Sequence, residues 1–161
     1  MRLPQEIKLL SIVDETRATH MIITIYNAIF GKAQWLAAPA LLAARVYVAW
    51  VFFKSGLTKL NDWDSTLMLF EYEYAVPILD FTTAAYLATF GELVLPALLA
   101  LGLFARKAAL GIFVINYIAV ISLEDMPAAA YNLHVIWGLL LLAVVIWGAE
   151  RLSLDKLFKI K

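Results

Sequence analysis

Long apolar stretches separated by polar segments dominate the pattern of this chain. Four of them are found at Trp35–Leu57, Ala84–Phe104, Ala108–Leu123 and Tyr131–Gly148. A helix needs about 20 apolar residues to cross the hydrocarbon core of a bilayer. The first, second and fourth stretches reach that length and the third is slightly short. The pattern therefore predicts an all-α fold, an integral membrane four-helix bundle.

The charges between these stretches alternate in sign along the chain. Residues 61–83 contain five acidic residues and no Lys or Arg, and the third connection is acidic at Glu124–Asp125. The basic residues stand before the first stretch, in the second connection and in the tail: Arg2, Lys8, Arg17, Lys32, Arg106, Lys107, Arg151, Lys156, Lys159 and Lys161. By the positive-inside rule, both termini are cytoplasmic and both acidic connections are outside.

Three segments follow from this pattern: an amphipathic segment over residues 1–33, a four-helix membrane domain over 34–150 and a cytoplasmic tail over 151–161. In the first segment the apolar residues recur at helical spacing, which is typical of one or two amphipathic helices at a membrane surface: Leu3, Ile7, Leu10, Met21, Ile22, Ile25 and Ile29. In an alternative interpretation, Met21–Phe30 begins a longer first membrane helix. In the tail, Ser153 is the expected N-cap of a short helix.

Composition excludes several classes of function. The chain is 63% hydrophobic and carries no basic stripe, so we expect no nucleic-acid partner. It has no cysteine, which excludes disulfides, thiolate metal ligands and cysteine-bound iron–sulfur clusters. We expect no haem either, because the two histidines, His20 and His134, are predicted on opposite sides of the membrane. We also predict no metal site.

Polar residues inside the spans are the candidate functional groups, because charge at membrane depth is costly and needs a partner or a role. Counting along each helix places Arg45, Glu92 and Asn116 near the middle of the first, second and third spans, with Lys59 and His134 nearer the outer side. The simplest pairing is Arg45 with Glu92, completed by Asn116. This pair either fixes helix register alone or also contacts a ligand.

Above that pair, Lys59 and His134 are predicted to line a pocket that opens to the outside. Neutral His134 is suited to hydrogen-bond a quinone carbonyl or to bind a neighbouring helix. The connection over residues 61–83 is rich in aromatic residues, and it forms either a short interfacial helix over this pocket or an ordinary aromatic belt. Lys54 falls on the opposite helical face from Arg45 and is expected to reach outward past lipid.

Several short motifs in a fixed order resemble the DoxX family of membrane proteins. The motifs are Arg45-Val46-Tyr47, Phe52–Leu60, Gly91-Glu92, Leu99–Leu103 with Arg106, and Gly148–Asp155. The resemblance covers about residues 40–158 and implies a four-helix bundle in a prokaryotic plasma (inner) membrane. It also implies a link to redox chemistry, since related proteins accompany thiosulfate:quinone oxidoreduction or systems for oxidative stress and metals. Arg45, Gly56, Lys59 and Glu92 match the family pattern.

Three functions remain open from the sequence. In the first, the chain is a membrane subunit of a quinone-linked redox system, possessing an oxidoreductase role only with a protein partner. Its quinone, or a similar small ligand, contacts Arg45, Lys59, Glu92, Asn116 and His134. In the second, the chain is a non-catalytic anchor or assembly partner for an oxidoreductase or metal-handling protein. A small transporter is the third. Besides the lipid bilayer, we expect either a protein partner or a homo-oligomer.

Overall fold

The computed structural model describes residues 5–31, 34–149 and 152–159. They form seven helices in chain order: α1 (Gln5–Phe30), α2 (Gln34–Asn61), α3 (Trp63–Tyr72), α4 (Phe81–Leu101), α5 (Ala105–Ser122), α6 (Ala128–Trp147) and α7 (Leu154–Leu157). Within the described ranges, the only extended pairing is an isolated antiparallel bridge between Tyr74 and Leu123. The predicted all-α class is confirmed.

Four of the helices are long and apolar enough to cross a membrane, and they correspond one to one to the predicted stretches. These spans are Ala38–Asn61, Phe81–Leu101, Ala105–Ser122 and Ala128–Trp147. The chain is therefore an integral membrane protein with a four-helix bundle. The short third stretch is a complete helix, since Ala105, Arg106 and Lys107 form its first turn.

Capping residues set the helix ends that hydropathy alone places only approximately. The Asp62 carboxylate accepts from the Ser65 N–H at 3.0 Å and starts α3. The Asp80 carboxylate accepts from the Thr83 N–H at 3.0 Å and starts α4. Gly102 ends α4 in the left-handed conformation, with φ of 68°, which a glycine adopts without steric strain. Each cap satisfies backbone groups that a helix end leaves unpaired.

The first helix belongs to a separate compact unit, which extends to Ala37, and the second unit begins at Ala38. The described part of this segment contains a single helix, α1, which ends at Phe30 before α2 begins at Gln34. Met21–Phe30 is thus part of α1 and not of the first span. Its location at the cytoplasmic surface stays a prediction. Several residues used in the sequence analysis lie outside the described residues, in whole or in their side chains: Arg2, Leu3, Ile7, Lys8, Leu10, Ile29, Lys32, Arg151 and Lys161.

Small residues allow the four spans to approach closely. α4 packs on α5 and α5 on α6, while α2 closes the bundle through Gly56 against α4 and Phe52 against Trp137 of α6. A Cβ on Gly91 would lie 2.5 Å from Ile115 Cδ1, and one on Gly111 would lie 2.7 Å from Leu95 Cδ1. Because lipid is as apolar as these side chains, close packing of small residues is what favours helix association here.

The core of the bundle is an apolar cluster of buried residues. Its largest buried members come from all four helices: Val48, Leu99, Ile112, Leu141 and Val144. A smaller cluster of Phe70, Ala84 and Ala85 joins α3 to the beginning of α4. The two clusters leave space between them, and that space contains the polar residues of interest.

Candidate ligand site

A cavity of about 440 Å³ lies at the end of the bundle where α2 and α5 end and α4 and α6 begin. Its wall is mostly apolar, contributed by all four spans and by the segment from α3 to α4. The polar or ionisable side chains on that wall are Ser55, Lys59, Tyr74, Glu92, Ser122 and His134. We call this space the Lys59 cavity. Ligand pockets of small molecules typically have this size and this combination of apolar wall and few polar groups.

An ion pair between α2 and α4 forms one side of the Lys59 cavity. Lys59 Nζ lies 2.7 Å from Glu92 Oε2, and it also donates to Ser55 Oγ at 3.0 Å. Gly56 lets the two helices approach at this point, since a Cβ there would lie 2.9 Å from Leu93 Cγ and 3.1 Å from Glu92 Cβ. The pair is nearly buried, with 17% of the Lys59 side chain and 9% of the Glu92 side chain exposed.

A reciprocal hydrogen-bonded pair between α5 and α6 forms another side. Asn116 Nδ2 donates to the His134 backbone carbonyl at 3.0 Å, and Asn116 Oδ1 lies 2.8 Å from His134 Nδ1. The imidazole also packs edge-to-face on Trp137, with ring centroids 4.9 Å apart. Asn116 is buried behind the histidine and is not itself on the cavity wall. Its role is to orient His134.

The end of α3 and the segment after it form part of the wall of the Lys59 cavity. Phe70 and Tyr74 pack edge-to-face with centroids 5.1 Å apart, and the Ala75 N–H donates to the Ser122 carbonyl at 2.9 Å. Thr66 Oγ1 donates to the Lys59 carbonyl at 3.0 Å, which ties α3 to the end of α2. The expected short helix is therefore present as α3, and its location at the membrane interface stays a prediction. Burial, and then the negative charges of Glu73 and Glu92, raise the pKa of the Tyr74 phenol.

Arg45 lies at the opposite end of the bundle, so the predicted Arg45–Glu92 pair is wrong. Its Nη1 donates to the Ala149 carbonyl at 3.1 Å and its Nη2 donates to the Leu152 carbonyl at 2.7 Å, while its Nε is buried without a partner. Counting along the helices placed Arg45 and Glu92 at the same depth, whereas the structure places them at different depths. Lys59, on the same face, reaches Glu92 instead.

The tail completes this opposite end of the bundle. The Asp155 carboxylate accepts from the N–H groups of Phe104 and Ala105, at 2.7 and 2.8 Å, and so caps α5 from a distant part of the chain. The Asp155 N–H donates to the Gly102 carbonyl at 2.9 Å, and Ser153 caps α7 as predicted. A Cβ on Gly102 would lie 2.6 Å from Ser153 Cβ and 2.8 Å from Arg45 Nη1. The motifs around Arg45, Gly102 and Ser153 therefore meet in one place, which we call the tail clasp.

The structure thus divides the five predicted ligand residues between two ends of the bundle. Lys59, Glu92 and His134 share the Lys59 cavity, Asn116 stands behind His134, and Arg45 belongs to the tail clasp. Whether any of them binds a ligand stays a prediction. Sequence reasoning missed Ser55, Tyr74 and Asp155. Ser55 carried a usable signal, since it lies one helical turn before Lys59. Within the described residues, no group of three or more His, Asp or Glu side chains is placed to hold a metal ion.

Comparison with known proteins agrees with this architecture. The DoxX family model matches residues 40–125, which include Arg45, Lys59, Glu92 and Asn116 but not His134. An uncharacterized protein from Haemophilus influenzae is 30% identical over 127 residues, covering 74% of this chain and 83% of that relative. No solved structure matches the chain. The family match spans more than half of the sequence, and the chain therefore belongs to the DoxX family.

Proposed function

We propose that this chain is the membrane subunit of a quinone-linked redox system and that it holds a quinone, or a similar small ligand, in the Lys59 cavity. The observation that carries the proposal is the cavity itself, an apolar space of about 440 Å³ with Lys59, Glu92 and His134 on its wall. A quinone has the matching chemistry: an apolar ring and tail with two polar oxygens.

The wall of the cavity supports access from the lipid. Leu87 and Leu79 line the cavity, yet both are exposed on the outside of the bundle, at 55% and 42%. An apolar ligand that arrives from the bilayer would contact these two side chains first. The alternating loop charges support an orientation with this end of the bundle outside and both termini in the cytoplasm. The proposed location is the plasma membrane of a prokaryotic cell.

Electron transfer requires a second component. The chain has no cysteine and no recognisable flavin or nucleotide motif, so its own residues offer ligand binding, orientation and proton exchange. Glu92, His134 and the hydroxyl of Tyr74 are among the groups on the cavity wall able to exchange protons with a ligand. The redox partner would supply or accept the electrons.

The alternatives differ in what supports them. Transport would need a path through the bundle, whereas residues at mid-depth are closely packed, with Val48 and Ile112 at most 1% exposed. An anchoring or assembly role for an oxidoreductase or metal-handling protein is favoured by α1, a separate helix whose apolar side chains Met21 and Ile22 are 60% and 64% exposed. It is the second candidate.

Mass spectrometry of organic extracts tests the quinone proposal. The full chain is purified in mild detergent as wild type, His134→Phe, Glu92→Gln and Lys54→Met. Lys54→Met is the matched control, because Lys54 is exposed and is not on the cavity wall. We expect near-stoichiometric quinone with wild type and Lys54→Met, and less than about a tenth of that with the two cavity variants, each checked for folding by gel filtration.

Two results would contradict the proposal. One is quinone at the level found in an unrelated membrane protein purified from the same cells, with no saturable binding of added decylubiquinone. The other is quinone retention that is unchanged in both folded cavity variants. In either case the anchoring role becomes the better account, and deletion of residues 1–31 with recovery of the co-purifying oxidoreductase would test it.

A further inference from the structure

The hydrogen bonds around His134 determine which of its ring nitrogens carries the proton. Asn116 Nδ2 donates to the His134 backbone carbonyl, which can only accept, so the orientation of the Asn116 amide is fixed. Asn116 Oδ1 therefore faces His134 Nδ1, 2.8 Å away. An amide oxygen accepts only, and Nδ1 must be the donor in this bond. His134 thus carries its proton on Nδ1.

The surroundings of the ring favour its neutral form. A second ring proton would create a cation within a mostly apolar cavity, which is costly without an opposing charge. Among the described residues, Glu92 is the only carboxylate on the cavity wall, and it is paired with Lys59. Neutral His134 with its proton on Nδ1 leaves Nε2 as a lone-pair acceptor.

That acceptor remains open to the Lys59 cavity. In the described part of the chain, the buried side-chain atoms that lack a partner are Arg45 Nε and Ser122 Oγ. His134 Nε2 makes no hydrogen bond to a described residue and is not one of these closed-off atoms, so it is accessible. The same holds for Glu92 Oε1. On the same cavity wall, Lys59 has one ammonium proton left after bonding Ser55 and Glu92.

We propose that the Lys59 cavity selects the reduced, hydroxyl-bearing form of its ligand, a quinol or another phenol, over the oxidised carbonyl form. A phenolic O–H donates to His134 Nε2, whereas a quinone carbonyl would place its lone pair against that of Nε2. The inference rests on the proposed function and deepens it. It also reverses the expectation that neutral His134 donates to a quinone carbonyl. Asn116 acts here as a positioning residue.

A pair of matched probes tests this selection without any redox step. The probes are 4-heptylphenol and its methyl ether, 4-heptylanisole, in which a methyl group replaces the hydroxyl proton. Their dissociation constants are measured by calorimetry on the full chain in detergent, corrected for partition into micelles. We expect the phenol to bind at least about tenfold more tightly, as loss of one hydrogen bond to a buried acceptor implies.

Variants and a spectroscopic readout separate positioning from simple loss of structure. His134→Phe and Asn116→Leu should each reduce the preference to less than about threefold, while Thr89→Val should keep it. Thr89 is a suitable control because it is buried, bonds the Ala85 carbonyl at 2.8 Å and is not on the cavity wall. ¹⁵N NMR of a His20→Gln background, which leaves His134 as the only histidine, should show a proton on Nδ1 and a shift of Nε2 when the phenol binds.

The outcomes distinguish the two proposals. If both probes bind with equal affinity and decylubiquinone displaces them, the proposed quinone site is supported but the selection of the reduced form is overturned. A proton on His134 Nε2 in the ligand-free protein would overturn it as well. If neither probe saturates and no quinone is retained, the proposed function itself fails, and the selection fails with it.

Discussion

The Lys59–Glu92 pair allows the structural and ligand-binding roles of buried charge to be separated by a double-mutant cycle. The variants are Lys59→Met, Glu92→Leu and both together. At the observed 2.7 Å, with an effective dielectric constant of about 20, the direct attraction is roughly 6 kcal/mol. Desolvation of the two ions opposes this attraction by several kcal/mol for each ion. The pair as a whole therefore contributes little net stability relative to apolar residues of similar size.

Removing one partner alone is a different perturbation, because it leaves an uncompensated charge in the cavity wall. We expect each single variant to lose about 3–5 kcal/mol of unfolding free energy, and the double variant to lie within about 1 kcal/mol of wild type. The assay is unfolding in mixed micelles, followed by tryptophan fluorescence. Lys54→Met, exposed on the same helix, is the control and should change stability by less than about 0.5 kcal/mol.

Additivity would refute this reasoning. If the double variant loses as much as the two single variants together, the two side chains are not energetically coupled and the observed ion pair is incidental. If it recovers stability, its ligand content becomes the decisive second readout. A stable double variant without quinone would show that the charges are retained for the ligand, whereas a stable double variant with full quinone content would leave them a register role alone.

Three further predictions concern the tail clasp, the contact between α2 and α4, and the Tyr74 side chain. Asp155→Ala should lower the unfolding free energy by about 1–2 kcal/mol in the same fluorescence assay, because it removes the cap of α5, and unchanged stability would show that water replaces the carboxylate. Gly56→Ala should lower the unfolding free energy by about 1–3 kcal/mol, because Leu93 and Glu92 would have to shift. Gly138→Ala is the control and should be tolerated, since the nearest heavy atom to its added Cβ would lie 3.5 Å away. Equal losses in the two variants would contradict the close approach of α2 and α4. Burial raises the pKa of Tyr74, so the neutral phenol contributes its full stabilisation of the fold below a pH of about 10, the pKa of tyrosine in an unfolded chain. This stabilisation is lost as the pH rises through the higher pKa of Tyr74 in the folded chain. Wild type should therefore lose more stability than Tyr74→Phe in alkaline titration, and parallel curves would refute that burial.

The spans were predictable from the sequence because hydropathy over long segments is a strong signal in a membrane protein. The pairing of polar residues was less predictable from the sequence. Counting along each helix placed Arg45 at the depth of Glu92 and Lys59 farther out, but Glu92 pairs with Lys59. A long lysine side chain near the end of α2 reaches inward to a glutamate near the middle of α4. Counting from the middle of each helix neglects this reach.

The partner of Arg45 was beyond sequence reasoning for a different reason. It bonds backbone carbonyls of Ala149 and Leu152, and any residue offers such carbonyls. Asp155 likewise caps a helix that begins far from it in the chain. The Asn116–His134 contact was within reach, since the two residues lie at the same distance from the shared end of α5 and α6. Matching antiparallel helices by depth would have found it.

The two ends of the bundle satisfy their polar groups in different ways, and this difference supports the Lys59 cavity as the proposed ligand site. In the tail clasp, both Nη groups of Arg45 and both oxygens of Asp155 bond backbone groups of this same chain, and Arg45 Nε, which lacks a partner, is closed off from any ligand. In the Lys59 cavity, His134 Nε2, Glu92 Oε1 and one proton of Lys59 remain open, although apolar residues surround them. Open polar groups in such surroundings reduce stability. Changes in the clasp should therefore act on folding alone, whereas changes in the cavity can remove ligand binding and leave the fold intact.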